Sequence, residues 1–194
     1  CHGSPHDIDC MGAVGVPADS DRATFPAVDV STQVGSKEKI KLKVPYFTGA
    51  LGSTEIARIH WEAMAIAAAI SGTLVVVGEN VCGMDPNAEI KNSHVVRSPE
   101  MERRVKTFQQ WYDGYGGIVV QYNVEDGRLG VPEYAVEKLG VQIIEPKWGQ
   151  GAKDIGGEVK LPSLERALQL KSRGYLVFEP VPGRAEPAAA GRAV

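Results

Sequence analysis

From about Lys41 onward the chain alternates between short runs of apolar, β-type residues and segments whose apolar positions recur every three or four residues. Gly, Pro or Ser marks each switch. That alternation is the βαβα signature of a parallel sheet. The first unit is a strand over Leu42 to Thr48, the turn GALGS, and a helix with apolar positions Ile56, Ile59, Ala63, Ile66, Ala67 and Ile70, capped by Ser53 and ended by Gly72. The second is TLVVV (Thr73 to Val77), the loop GENVCGMDPNAEIKNSH, and a helix opening at Ser98-Pro99-Glu100 with Met101, Val105, Phe108 and Trp111 on one face. The third is GIVVQY (Gly117 to Tyr122), the loop NVEDGRLG and a short helix from Pro132 to Leu139. The fourth is VQIIEP (Val141 to Pro146), the loop KWGQGAKDIGGEVKLP and a helix from Leu164 to Arg173 stopped by Gly174. A fifth strand is expected at Tyr175 to Phe178.

Strands as apolar as TLVVV and GIVV are expected to be buried on both faces, as in barrels and doubly wound sheets, and composition does not separate those two folds. Helix-to-strand turns are short (SGT, GYGG, LG, RG) and strand-to-helix loops are long, so functional residues are expected at the C-terminal ends of the strands. Residues 1–40 read as a leader or cap segment, 41–178 as the α/β domain, and 179–194 (EPVPGRAEPAAAGRAV), with no periodic apolar face, as a disordered tail.

Composition narrows the function classes. A net charge of −3, from 21 basic and 24 acidic residues spread along the chain, leaves no basic footprint for nucleic acid or an anionic membrane. No apolar run approaches the roughly 20 residues of a membrane span, and the opening CHGSPHDIDC lacks the plan of a signal peptide, so a cytoplasmic location is expected. Cys1, Cys10 and Cys82 have no CxxC spacing and read as reduced thiols. His2, His6, His60 and His94 have no paired spacing, and no metal site is expected.

No nucleophile elbow, P-loop or GxGxxG is present. The polar residues expected at the strand ends are Thr48 with Gly49, Ala50 and Ser53, then Glu79 and Asn80, then Gln121, then Lys147, Gln150 and Lys153. The small residues of TGALGS suit close backbone approach to a flat ligand, or equally a tight capped turn. Gln121 interrupts an apolar strand, and a buried carboxamide without partners costs about 1 to 3 kcal/mol, so it serves either the edge of a heterocycle or neighbouring backbone. Lys147 and Lys153 suit an anionic ligand or solvent. Glu79 suits an acid, a base or an acceptor for a ligand ammonium, or is a plain loop carboxylate.

Taken in order, these segments resemble the FMN-binding domain of glutamate synthases and their single-barrel relatives. PYFTGALGSTEIARIHWEAMAIAAAISGT stands where that family has a TGAMS-like strand end followed by GS. VVVGENVCGMDP stands for its TGEGG-like turn and acidic-Pro pair, VVQYNVEDGRLGVPEYAVEKLG for its Gln-bearing strand and GRFGV-like loop, and EPKWGQGAKDIGGEVKLP for KIxQGAKPGxGGxLP. The resemblance covers residues 41–178, and QGAK with the following GG and LP is its most specific part. Departures are the change of TGEGG to VGENV, Asp154 in place of the Pro of AKPG, and two extra residues between Gln121 and the GRLGV loop. They point toward divergent glutamate synthase-like relatives.

The resemblance implies a (β/α)8 TIM-barrel type fold truncated to about its first four to five βα units, because a full barrel takes about 250 residues and holds phosphate after strands 7 and 8. It implies FMN at the mouth, with Gly49, Ala50 and Leu51 along the flavin ring and Gln121 and Lys147 at its pyrimidine edge, and, with the phosphate-holding segment outside these units, it implies that the chain alone is inactive and binds FMN weakly or not at all. Gln150, Lys153 and Glu79 would serve the substrate, 2-oxoglutarate with glutamine-derived ammonia. The implied reaction is reductive amination of 2-oxoglutarate to glutamate by hydride transfer from reduced FMN, with electrons from ferredoxin or an NAD(P)H-linked partner through an iron–sulfur cluster whose ligands this sequence lacks. Two other readings stand beside it: a non-catalytic module, either a half-barrel that associates with another chain or a relative that binds a ligand without turnover, and a different FMN-dependent dehydrogenase of amino or hydroxy acids.

Overall fold

The computed structural model describes residues 28–148, 159–178 and 192–193. It begins with an antiparallel pair, β1 (Thr32–Val34) and β2 (Ile40–Leu42). Lys41 O accepts from Gly116 N and Ile40 lies against Gly117, so the pair sits at the N-terminal end of the main sheet. The strand expected over Leu42 to Thr48 is only partly regular. It runs parallel to the next strand through bridges at Phe47 and Leu51, while Lys43 and Val44 lead into it as a bend.

Helix α1 (Glu55–Ser71) is capped by Thr54, whose side chain accepts from Ala57 N, not by the expected Ser53. It ends at Gly72, whose φ of 65° lies where a side chain is disfavoured. The buried face differs from the expected one. Ala57, Trp61, Ala65, Ala68 and Ala69 point into the core, whereas Ile56, Ile59 and Ile70 are 72%, 61% and 56% exposed on the opposite side. Trp61, fully buried with its indole N–H donating to Arg104 O at 3.0 Å, fixes which side faces inward. The alanines around it let the helix pack close.

β3 (Leu74–Val77) is followed by the one-turn helix α2 (Val81–Met84) and a hairpin, β4 (Glu89–Lys91) with β5 (His94–Arg97), inside the segment expected to be a plain loop. α3 (Pro99–Gln109) starts as the sequence predicts, on a Ser98 cap with Pro99 at the first helical position. It buries Met101, Arg104, Val105 and Phe108, while Trp111 falls beyond its end and is half-exposed. β6 (Gly117–Tyr122) leads into α4 (Val124–Arg128) and α5 (Val131–Glu137), then β7 (Ile143–Pro146). NVEDGRLG is therefore a helical turn, closed by a reciprocal cap between Asn123 and Asp126.

The main sheet is parallel in the order β3-β6-β7, with the Phe47 and Leu51 bridges adding the first unit beside β3. Units one to four are thus neighbours in chain order. Val75, Val77, Ile118 and Val120 face α1, α3 and α5 in one core, and Val76 and Val119 on the other face are 3% and 5% exposed, so these strands are buried on both faces as their composition requires. The expected fifth strand is not a fifth parallel member among the described residues. β9 (Val177–Phe178) follows α6 (Leu164–Ser172) and pairs antiparallel with β10 (Arg192–Ala193), which also pairs with β8 (Val159–Lys160). Arg192 and Ala193, read from the sequence as tail, are thus paired. No helix among the described residues is long and apolar enough to cross a membrane.

Candidate functional site

The C-terminal edge of the parallel sheet gathers side chains from all four units. In the first, Thr48 is buried and its hydroxyl accepts from Val76 N at 3.0 Å, standing in for a main-chain carbonyl between the bonds Thr48 N to Leu74 O and Leu51 N to Val76 O. The substitution keeps the ladder in register while Gly49 and Ala50 bulge out, exposed, at the strand end. A Cβ on Gly49 would meet nothing within 4 Å, so this glycine borders open space, where a flat ligand has room. Leu51 returns to the ladder and packs on the core.

Where close approach does require glycine, two turns of the chain press on each other. A Cβ on Gly78 would lie 2.6 Å from Gly52 N and 2.7 Å from Gly52 Cα, both backbone atoms. Gly78→Ala is therefore expected to cost about 1 to 3 kcal/mol, read as a lower urea midpoint with unchanged slope. An unchanged midpoint would show that the two turns can separate freely.

Glu79 and Lys147, placed by the sequence at two different strand ends, meet as an ion pair of 2.6 Å with side chains only 15% and 24% exposed. Gln121, 9% exposed, sits beside Glu145, its register partner in β7, and donates Nε2–H to Glu145 Oε1 at 2.9 Å. Its carbonyl Oε1 is buried and has no hydrogen-bond partner among the described residues. Gln150 and Lys153, and with them Cys1, Cys10, His2 and His6, lie outside the described residues.

Beneath this edge is a layer that sequence reasoning missed. Asp126, 1% exposed, accepts Asn80 N at 2.8 Å and Asn123 N at 3.4 Å on Oδ2, while Oδ1 has no partner among the described residues. Burial pushes its carboxyl up to about 7, opposed by those two backbone donors and reinforced by the charges of Glu79 and Glu125. Asn80 takes a left-handed φ of 66°, and its side-chain oxygen accepts from Asn123 Nδ2 and the Tyr175 hydroxyl, both at 3.2 Å. The spacing Asn123-x-x-Asp126 is a capping-box signature, so α4 was legible; the burial of Asp126 was not.

Other candidates are structural. Asp85 of the acidic-Pro pair accepts from Ser98 Oγ, Glu100 N and Asn87 N, so it caps the start of α3. Cys82 is fully buried, and burial drives its thiol far above the reactive range, which leaves it inert. His60 and His94 are exposed. Among the described residues no three His, Cys, Asp or Glu side chains are arranged to hold a metal.

Chemically, the edge offers a buried amide acceptor, one lysine shared with a carboxylate, a second carboxylate and a small-residue bulge. Groups of these kinds bind the polar edge of a planar heterocycle, and in this structure Gln121 Oε1 is enclosed. No protein-family model, curated protein sequence or solved structure matches the chain.

Proposed function

We propose that the chain supplies four βα units corresponding to the N-terminal half of an FMN-binding (β/α)8 barrel of glutamate synthase type, working in the reductive amination of 2-oxoglutarate to glutamate. Three things support the reading. The four ordered motifs resemble that family, the parallel units follow one another in chain order, and Gln121 carries an acceptor at the strand ends that has no partner among the described residues. The last carries the proposal. A buried acceptor without a donor costs about 1 to 3 kcal/mol, and a ligand donor would relieve that cost.

The residues fit the pyrimidine edge of a flavin. Gln121 Oε1 would accept from the ring imide, and Lys147, with three donor protons of which Glu79 takes one, would donate to the ring oxygen or nitrogen beside it. Gly49, Ala50 and Leu51 would line the ring at the bulge. Bound FMN supplies hydride chemistry, and the chain's part is to bind, orient and polarise it. By the resemblance, Gln150 and Lys153 would meet FMN or the carboxylates of 2-oxoglutarate, Glu79 would meet substrate nitrogen, and electrons would come from ferredoxin or an NAD(P)H-linked partner, through an iron–sulfur cluster in the larger relatives.

Titration of riboflavin and FMN with the chain, followed by flavin fluorescence, tests this. Gln121→Leu is expected to weaken both ligands by the same factor, about tenfold for one lost hydrogen bond to a buried acceptor. Its thermal midpoint should be no lower than wild type, because the orphaned oxygen goes with it. Equal riboflavin binding by the variant and the wild-type chain would overturn the reading.

A second reading, a non-catalytic half-barrel that associates with another chain, is favoured by one observation: the isoleucine stripe Ile56, Ile59, Ile70 lies on the outer side of α1. The two separate on the same variants. In the association reading Gln121→Leu and Lys147→Ala leave self-association and partner binding untouched, and no flavin binding exists to lose.

A further inference from the structure

The orientation of an amide side chain cannot be read from its shape, because its oxygen and nitrogen ends look alike. At Gln121 the neighbour decides it. A carboxylate accepts and does not donate, so the Glu145 oxygen 2.9 Å away takes the Nε2–H end and leaves Oε1 turned from it. Register enforces the pairing: Gln121 and Glu145 are Cα partners in adjacent parallel strands, so their side chains leave the sheet on the same face. That face also carries Val76 and Val119, and opposes the face packed on α1, α3 and α5. Gln121 is nine-tenths buried, and Oε1 has no partner among the described residues.

We propose that Glu145 is a positioning residue that holds the Gln121 amide with its buried carbonyl turned away from the carboxylate and able only to accept, so that the site recognises an imide or lactam N–H and discriminates against heterocycles lacking one. The inference rests on the flavin reading for the identity of the ring and deepens it by naming the atom recognised and the residue that sets it. A glutamine free to rotate would accept or donate with equal ease. Locked by a carboxylate, it can only accept.

The test compares binding of riboflavin, 3-methylriboflavin, lumazine and 3-methyllumazine to the full chain and to two variants, with dissociation constants from fluorescence. For the wild-type chain, methylation at the imide nitrogen is expected to weaken binding about tenfold, or about 1.4 kcal/mol. Glu145→Gln can accept from or donate to the Gln121 amide, so it frees the amide to turn and should leave a discrimination between those of the wild-type chain and Glu145→Lys. Glu145→Lys presents an ammonium, which only donates. It should draw Oε1 to itself, turn Nε2 to the ligand and reduce the methylation penalty to about twofold or less.

Because the readout is a ratio within each variant, a general loss of folded protein does not imitate it, and a plain steric clash of the methyl group would persist in Glu145→Lys. Equal binding of riboflavin and 3-methylriboflavin to the wild-type chain would overturn the inference while leaving the flavin reading intact. Methyl-sensitive binding of lumazine without riboflavin binding would support it and sink the flavin reading. No binding of either parent ring would sink the inference.

Discussion

Arg104→Met is expected to destabilise the fold by about 3 kcal/mol, seen as a lower urea midpoint with unchanged slope. The guanidinium is 1% exposed and makes four attachments. Nε donates to Glu100 Oε1 at 2.8 Å, Nη1 donates to Leu51 O at 2.7 Å and to Gly52 O at 2.9 Å, and the group stacks 5.2 Å from the Trp61 ring. It thus ties α3 to the turn between the first strand and α1. Methionine preserves bulk against Trp61 and removes all three donors, leaving Gly52 O without its buried partner. Glu100 keeps its bidentate contact with Arg103, and Leu51 O keeps Gly78 N, which holds the expected cost below that of a fully orphaned pair.

Arg104→Ala adds a cavity beside Trp61 and should cost about 1 to 2 kcal/mol more. Amide exchange at Leu51 and Gly78 should quicken in both variants, since those amides form the ladder that Arg104 buttresses. A change of less than about 0.5 kcal/mol in Arg104→Met would mean that desolvation of the buried cation cancels its bonds.

The second large effect is a pH dependence centred on Asp126. Its carboxyl rises from the ordinary 3.8 to about 7 on folding, mainly through burial. Between those two values the folded chain holds a proton that the unfolded chain has released, so the contribution to stability falls as pH rises from about 4 to about 7 and is level above. Three pKa steps at about 1.36 kcal/mol each make the loss on the order of 4 kcal/mol. Asn at this position keeps an oxygen for Asn80 N and Asn123 N but cannot ionise. Asp126→Asn should therefore remove the slope and be the more stable protein at pH 8, with the two chains converging near pH 4 to 5. Denaturant midpoints across pH 4 to 8 measure this. Parallel curves for the two proteins would show that Asp126 stays ionised in the fold.

These groups show where sequence reading stopped. The strand-end positions of Glu79, Gln121 and Lys147 were legible because strands alternating with helices put every strand end on one edge, whatever the strand order. What each of them touches was not. Glu79 meets Lys147 across 68 positions, and Gln121 meets Glu145 across 24. Such pairings depend on strand register, which no local pattern encodes. Arg104 was hidden for the same reason: its spacing on α3 fits a solvated face, and only the turn 52 and 53 positions away makes it a buried tie.

By itself the sequence determined the local elements: the Ser98-Pro99 start of α3, the left-handed Gly72 stop of α1, and the doubly buried strands at Val75–Val77 and Ile118–Val120. Caps, glycine conformations and apolar runs act over a few residues, so the chain writes them directly. The tertiary structure decided the rest. It chose Trp61 and the alanines over the isoleucines as the inner face of α1, because an indole with a hydrogen-bond partner and close-packing small residues bury better there than a branched stripe. It took β9 out of the parallel sheet by pairing it with β10. It also left Gln121 Oε1 and Asp126 Oδ1 buried without partners among the described residues, the two atoms on which the functional reading and the pH dependence rest.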